Sequence, residues 1–313
     1  MIAAVLTLHQ ILLMLTLLSV GAICVRLGWF DEQIAQALSK FLLWFVTPAL
    51  LLDAFNQPFR TDMAYGLLLS GMLAVLFHIM AAILAQLLIR PRHFTQCAIA
   101  RMGAVYSNCG FMAFPLISAV LGTDGVFYGS AFVGVFNLFL WTHGRRLLVG
   151  RERFHLKNAV CNAGVLGTLV GAVLYLFFHF QFPSLASDFI STLASLNTPL
   201  AMLLIGIFLS QCQLKDLLCR NVILPVLLRV SVLPLTFLFL LLCLHVPAWH
   251  SAGPTLLMVT LLCASCPAAA STVLMTSSLG MDSSYGARLV LMSSLLSVLT
   301  IPGISLLASW LIQ

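Results

Sequence analysis

Long apolar runs alternate with short polar interruptions along the whole chain. Ten such runs can be drawn, at approximately 8–27, 34–54, 64–88, 97–121, 125–147, 159–180, 188–211, 219–244, 254–279 and 286–311. Each approaches the roughly 20 apolar residues that an α-helix needs to cross a bilayer. The runs are continuous rather than alternating in polarity, which suits helices and not the strands of a membrane β-barrel. The pattern therefore predicts an all-α polytopic membrane protein with ten transmembrane helices in one membrane domain. The first run lacks a charged leader and a small-residue cleavage site, so it reads as a retained span and not a signal peptide.

Composition narrows the class further. Hydrophobic residues make up 61% of the chain and charged residues 8%, with a mean hydropathy of +1.09. So few charges could not cover a soluble fold, and so much apolar surface excludes disorder. The net charge of +6 is not a nucleic-acid footprint, because no folded soluble face exists to carry a basic stripe. Its placement reports topology instead. Thirteen of the fifteen Lys and Arg residues lie in or beside the loops after spans 1, 3, 5, 7 and 9: Arg26, Lys40, Arg90, Arg92, Arg101, Arg145, Arg146, Arg151, Arg153, Lys157, Lys215, Arg220 and Arg288. Only Arg60 lies in the opposite loops, and Arg229 lies inside span 8. By the positive-inside rule the odd-numbered loops are cytoplasmic, and both termini face the outer, periplasmic side of a cell (inner) membrane. The nine cysteines are odd in number and mostly sit inside apolar runs, as small core residues do. Cys263 and Cys266 have metal-ligand spacing without a second pair, so no metal is expected.

The chain repeats itself. Thr47-Pro48 recurs as Thr198-Pro199 at an offset of 151, and Pro115 recurs as Pro267 at 152. Leu121-Gly122-Thr123-Asp124 with Tyr128-Gly129 recurs as Leu279-Gly280-Met281-Asp282 with Tyr285-Gly286. Two five-span halves, residues 1–150 and 151–313, must have opposite orientations because five is odd. That is the inverted repeat of many secondary transporters.

Two runs carry the candidate chemistry. Span 4 contains Ser107-Asn108-Cys109-Gly110 ahead of Pro115, and span 9 contains Ser265-Cys266-Pro267 ahead of Ser271. A mid-span proline removes a backbone donor and clashes with the preceding turn, so spans 4 and 9 are expected to break at Pro115 and Pro267. Paired breaks at matching positions point to a midplane site. The half-helices that follow would present their positive ends, and no Asp or Glu lies in either segment. A small organic anion fits better than a metal or an amine, with Ser107, Asn108, Ser265 and Ser271 as hydrogen-bonding groups. Asn108 lies seven residues before Pro115, about two turns along a regular helix and so on one face with the expected break.

His78 and Arg229 lie deep in spans 3 and 8, separated by the same 151 residues. Intramembrane ionisable groups usually face a cavity or a partner. Arg229 could offset an anion's charge or cap exposed carbonyls; His78 could titrate in proton coupling or serve the structure. Asp53, Asp124, Asp188 and Asp282 read as span ends and helix caps. Metalloprotease, paired-aspartate and phosphate-loop signatures are missing, so neither an enzyme nor a cofactor is expected.

These motifs resemble the auxin efflux carrier family in its bacterial branch. The resemblance rests on Ser107-Asn108-Cys109-Gly110-Phe111 with Pro115-Leu116, Leu121-Gly122 with Tyr128-Gly129, Thr47-Pro48, and the Pro267 segment with Ile301-Pro302. It covers essentially the whole chain. It implies ten helices in two inverted repeats, helices 4 and 9 crossing at the substrate site, and transport of small carboxylates such as auxin, malate or malonate. It also implies a scaffold of spans 1, 2, 6 and 7. The alternatives are a sodium-coupled symporter of the related bile-acid type and a non-transporting receptor with the same fold. The expected partners are the bilayer and a small organic anion, with a homodimer allowed.

Overall fold

The computed structural model describes residues 2–90, 94–150, 163–210, 219–281 and 283–312. Arg92, Arg151, Arg153, Lys157, Lys215 and Asp282, on which the charge and repeat readings partly rest, lie outside the described residues. Every regular element among those described is helical. The first half comprises α1 (Ile2–Arg26), α2 (Glu32–Phe41), α3 (Thr47–Phe55), α4 (Thr61–Leu88), α5 (Phe94–Val105), α6 (Phe114–Phe139) and α7 (Arg145–Val149). The second comprises α8 (Ala163–Leu176), α9 (Ser184–Ser195), α10 (Asn197–Ser210), α11 (Arg220–Leu227), α12 (Leu233–Cys243), α13 (Gly253–Ser265), α14 (Ser271–Ser278) and α15 (Ser283–Ile312).

Among the described residues, seven continuous stretches are long and apolar enough to cross a membrane, where ten spans were expected. Three expected spans account for the difference. Span 4 is cut at Tyr106–Asn108, and its remainder runs on with span 5 as one stretch, Cys109–Val149. That stretch turns at Gly122, whose φ of +68° suits a residue without a Cβ. Span 9 is cut into α13 and α14, and the described part of span 6 has only 14 residues.

Prolines shape the helices without always ending them. Pro48, Pro115 and Pro234 each sit two residues after a π-helical turn, at Leu42–Val46, Cys109–Ala113 and Leu228–Val232. A widened turn takes up the missing donor and the ring clash that a proline would otherwise impose on the α-ladder. Pro115 therefore does not break span 4, contrary to the sequence expectation. It sits in the first turn of α6, where proline needs no donor. A fourth π turn, Leu140–Gly144, has no proline.

Small residues set the closest helix packing. A Cβ on Gly21 of α1 would fall on the Leu203 carbonyl of α10, and one on Gly206 would fall on the Leu18 carbonyl. The two backbones touch because neither position carries a side chain, as in small-residue membrane interfaces. Gly167 and Gly171 of α8 similarly receive Pro48 and Phe55 of α3. Spans 1 and 7, and spans 2 and 6, are thus direct partners. Outside, large apolar side chains such as Leu68, Met72, Phe239 and Leu299 are more than half exposed, as a lipid-facing surface requires.

Candidate functional site

Span 4 loses its helix at Tyr106–Asn108 and span 9 at Cys266–Ala270. These two breaks lie against each other. Ser107 and Ala268 form an antiparallel bridge; Asn108 N donates to Pro267 O at 2.7 Å, and Ala269 N donates to Tyr106 O at 2.9 Å. Ala268 N donates to Ser293 Oγ of α15 at 3.0 Å. Extended backbone inside a bilayer must find partners within the protein, and here each break supplies the other's. Only one of the two expected breakpoints, Pro267, coincides with an actual break.

The breaks expose the last carbonyls of α5 and α13, and Arg229 takes them. Its Nη1 donates to Ala104 O at 3.1 Å and Val105 O at 2.9 Å, while Nη2 donates to Ala264 O. The guanidinium is fully buried and lies 5.4 Å from the centre of the Phe77 ring. One cation therefore caps the negative ends of two half-helices, a favourable placement for their dipoles. Of the two roles open to Arg229, capping is the one its contacts show, and it does not line the cavity described below.

His78 is also away from that cavity. Its Nδ1 lies 2.7 Å from Ala74 O, so that nitrogen carries the proton and donates. Its ring is surrounded by Phe77, Phe132, Phe136, Phe139 and Tyr106, with centroids 5.1–6.2 Å away. This is an aromatic core setting.

A cavity of about 320 Å³ lies beside the crossing, at the end carrying the odd-numbered loops. Asn108, Gly110 and Ser271 line it, as the sequence predicted of site residues; Ser107, Pro115, Ser265 and Pro267 do not. Ser265 Oγ instead donates to Leu261 O, and Ser107 is fully buried in the break. Asn108 is not in a regular helix with Pro115; it precedes the π turn with φ −77° and ψ 36°. Its backbone is committed to Pro267 and its side chain remains available, since Nδ2 has no partner. Ser271 Oγ and Thr47 Oγ1 are likewise unpartnered and line the same space.

Two lining residues were not assigned to the site from sequence. Among the described residues, Lys40 of α2 is the one cationic residue of the lining, which holds no Asp or Glu. Thr47 enters from the start of α3. A lysine six residues into an apolar run was the available signal, but it was counted toward topology. Apolar walls come from Trp44, Trp141, Phe111, Phe136 and Phe208. Gly110 opens directly onto the cavity, for a Cβ built there meets nothing within 4 Å. Its carbonyl accepts from Asn197 Nδ2 at 3.3 Å, linking the π turn to α10.

The opposite end is packed shut. Phe127 of α6 packs at a tilt of 57° against Tyr175 of α8 with centroids 4.8 Å apart, and Phe55 of α3 meets Phe127 edge-on at 5.7 Å. Arg60 pairs there with Asp62 at 2.7 Å and approaches Asp124 at 3.9 Å.

The arrangement is thus a largely apolar cavity with a few polar groups, at a pair of broken helices that meet in a membrane-embedded bundle. No individual curated protein matches the chain. The membrane transport protein family matches residues 6–160 and 152–305, nearly the entire length. The chain therefore belongs to that family of membrane transport proteins, the auxin efflux carrier-like group whose motifs it resembles.

Proposed function

We propose that this transporter moves small organic anions, mono- or dicarboxylates, by alternating access. The observation that carries the reading is the cavity's charge balance among the described residues: Lys40 with no carboxylate, and three unpartnered polar groups at Asn108, Ser271 and Thr47. A carboxylate can accept from the Asn108 amide and both hydroxyls while its charge faces Lys40. The first turns after both breaks add positive helix ends on the same side. A sodium ion at the crossing is the weaker reading, because Arg229 already occupies the carbonyls of Ala104, Val105 and Ala264.

The ten apolar runs are read as ten spans in two inverted repeats, with spans 1, 2, 6 and 7 as the scaffold. The pairing of spans 1 with 7 and 2 with 6 supports that division. The positive loops support a reading in which the cavity's open end faces the cytoplasm and both termini face outside, in an inner membrane of the bacterial type. In that orientation the cavity is open inward, while Phe127, Tyr175 and Phe55 close the outer end.

Proteoliposomes loaded in turn with malate, malonate and an aromatic monocarboxylate test the proposal. Saturable flux of at least one is expected, and runs with and without pH, sodium and voltage gradients identify the coupling. Binding without flux of any carboxylate would indicate the receptor alternative, and strict sodium dependence would indicate the symporter. Cysteine-accessibility labelling tests the topology: a terminal probe and a probe near Arg151 should label from opposite sides.

A further inference from the structure

A second cavity, of about 350 Å³, lies between the end of α4, the start of α5, the first turns of α11 and the start of α15. It shares no lining residue with the transport cavity. Arg90 and Arg220 line it, and no Asp or Glu does among the described residues. Neither arginine forms an ion pair among the described residues. A third guanidinium, on Arg101, is fixed alongside: it donates to Gln86 O and to Ile89 O, the latter a residue of the cavity wall. The opposite wall is held by Tyr285, whose hydroxyl donates to Asn221 O at 2.7 Å. The concentration of positive charge calls for an anion.

The apolar part of the lining says which kind. Leu88 and Leu224 belong to the cavity and are each 48% exposed. Leu87 and Leu227 continue that apolar surface along α4 and α11. The cleft is thus basic at its rim and opens along its side onto surface that faces lipid. A free phosphate would use only the rim, whereas a phospholipid uses both. We propose that this cleft binds the phosphate headgroup of an anionic membrane lipid, with Arg90 and Arg220 as counter-charges and an acyl chain along Leu88 and Leu224. Basic pockets between membrane helices at the cytoplasmic interface suit such headgroups. The bound lipid would tie the ends of α4, α5, α11 and α15 together, on the crossing side of the molecule.

Native mass spectrometry of the purified full chain tests this, with titration by phosphatidylglycerol, phosphatidylcholine or inorganic phosphate. The wild type should bind phosphatidylglycerol at least roughly tenfold more tightly than phosphatidylcholine, the weight expected of two interfacial arginines. Arg90→Gln/Arg220→Gln should abolish the preference, and Arg90→Lys/Arg220→Lys, which keeps the charge, should retain most of it. The charge-matched control Arg145→Gln/Arg146→Gln should leave it intact. Absence of a headgroup preference in the wild type, or its survival in Arg90→Gln/Arg220→Gln, would overturn the proposal. Equal loss in the control would overturn it too, by making the effect one of overall basicity. Displacement of the lipid by millimolar inorganic phosphate would show a free-anion site instead. A glutamine double variant that fails to fold leaves the wild-type preference, the phosphate competition and the lysine variant to decide.

Discussion

The amide of Asn108 donates to the carbonyl of Pro267, 159 residues away in sequence, at 2.7 Å. This bond is main-chain to main-chain, so it fixes the position of Asn108 without engaging its side chain. Under the proposed function, structure and ligand recognition are divided between the two parts of one residue.

That division makes Asn108→Ala informative. The pairing with Pro267 survives the substitution, and thermal stability should change little. Loss of a hydrogen bond to a charged ligand should weaken carboxylate binding by about 1.5–3 kcal/mol, roughly ten- to a hundredfold. Binding titration with a thermal melt checks both; wild-type affinity in folded protein would remove Asn108 from the site. Pro115→Ala, outside the lining, should spare binding and act on helix geometry.

Arg229 should show the opposite behaviour. Arg229→Met leaves carbonyls of Ala104, Val105 and Ala264 without their partner, and each orphaned buried group costs about 1–3 kcal/mol. A large drop in melting temperature is expected, with only partial recovery in Arg229→Lys, because an ammonium lacks the planar fork. A stable Arg229→Met protein with selectively impaired binding would place Arg229 at the ligand instead.

Lys40→Gln removes the cavity's cation from its mouth. At an effective dielectric of about 20, one charge near 4 Å is worth a few kcal/mol before screening. Affinity for a dicarboxylate should fall at least tenfold, more for a dicarboxylate than for a monocarboxylate. An isothermal titration series at low and high salt should also show a flatter salt dependence than wild type.

Gly110→Leu should block the cavity without disturbing the core, since a Cβ there meets nothing within 4 Å. Flux should vanish while the melting temperature stays near wild type. Gly206→Ala is the contrasting case: its methyl would strike the Leu18 carbonyl, and overpacking of this kind costs about 1–3 kcal/mol. Circular dichroism melts of both variants separate the two outcomes.

Sequence pattern located the membrane runs and the neighbourhood of both breaks, because apolar length and proline are local signals. It misplaced one break. Pro115 pointed seven residues too late, since a π turn absorbs that proline while Tyr106–Asn108 is held out of the helix by a segment distant in sequence. Arg229 stood out as an intramembrane cation, but its carbonyl partners exist only because both helices stop beside it. Lys40 and Thr47 reach the cavity through the packing of spans 2 and 7, which no motif encodes. The expected site residues that do line the cavity, Asn108, Gly110 and Ser271, are those adjoining the breaks themselves.

The capping by Arg229 has an electrical consequence. Two crossed, broken helices have four inner ends, two negative and two positive, and left alone they would nearly cancel at the centre. Arg229 neutralises the negative pair on one side of the crossing. The positive pair, at Cys109–Gly110 and Ser271, is left uncompensated on the other, where the cavity lies. A cation that does not line the cavity thereby sets the polarity of the field at the crossing, and a field of that sign favours an anion over a cation.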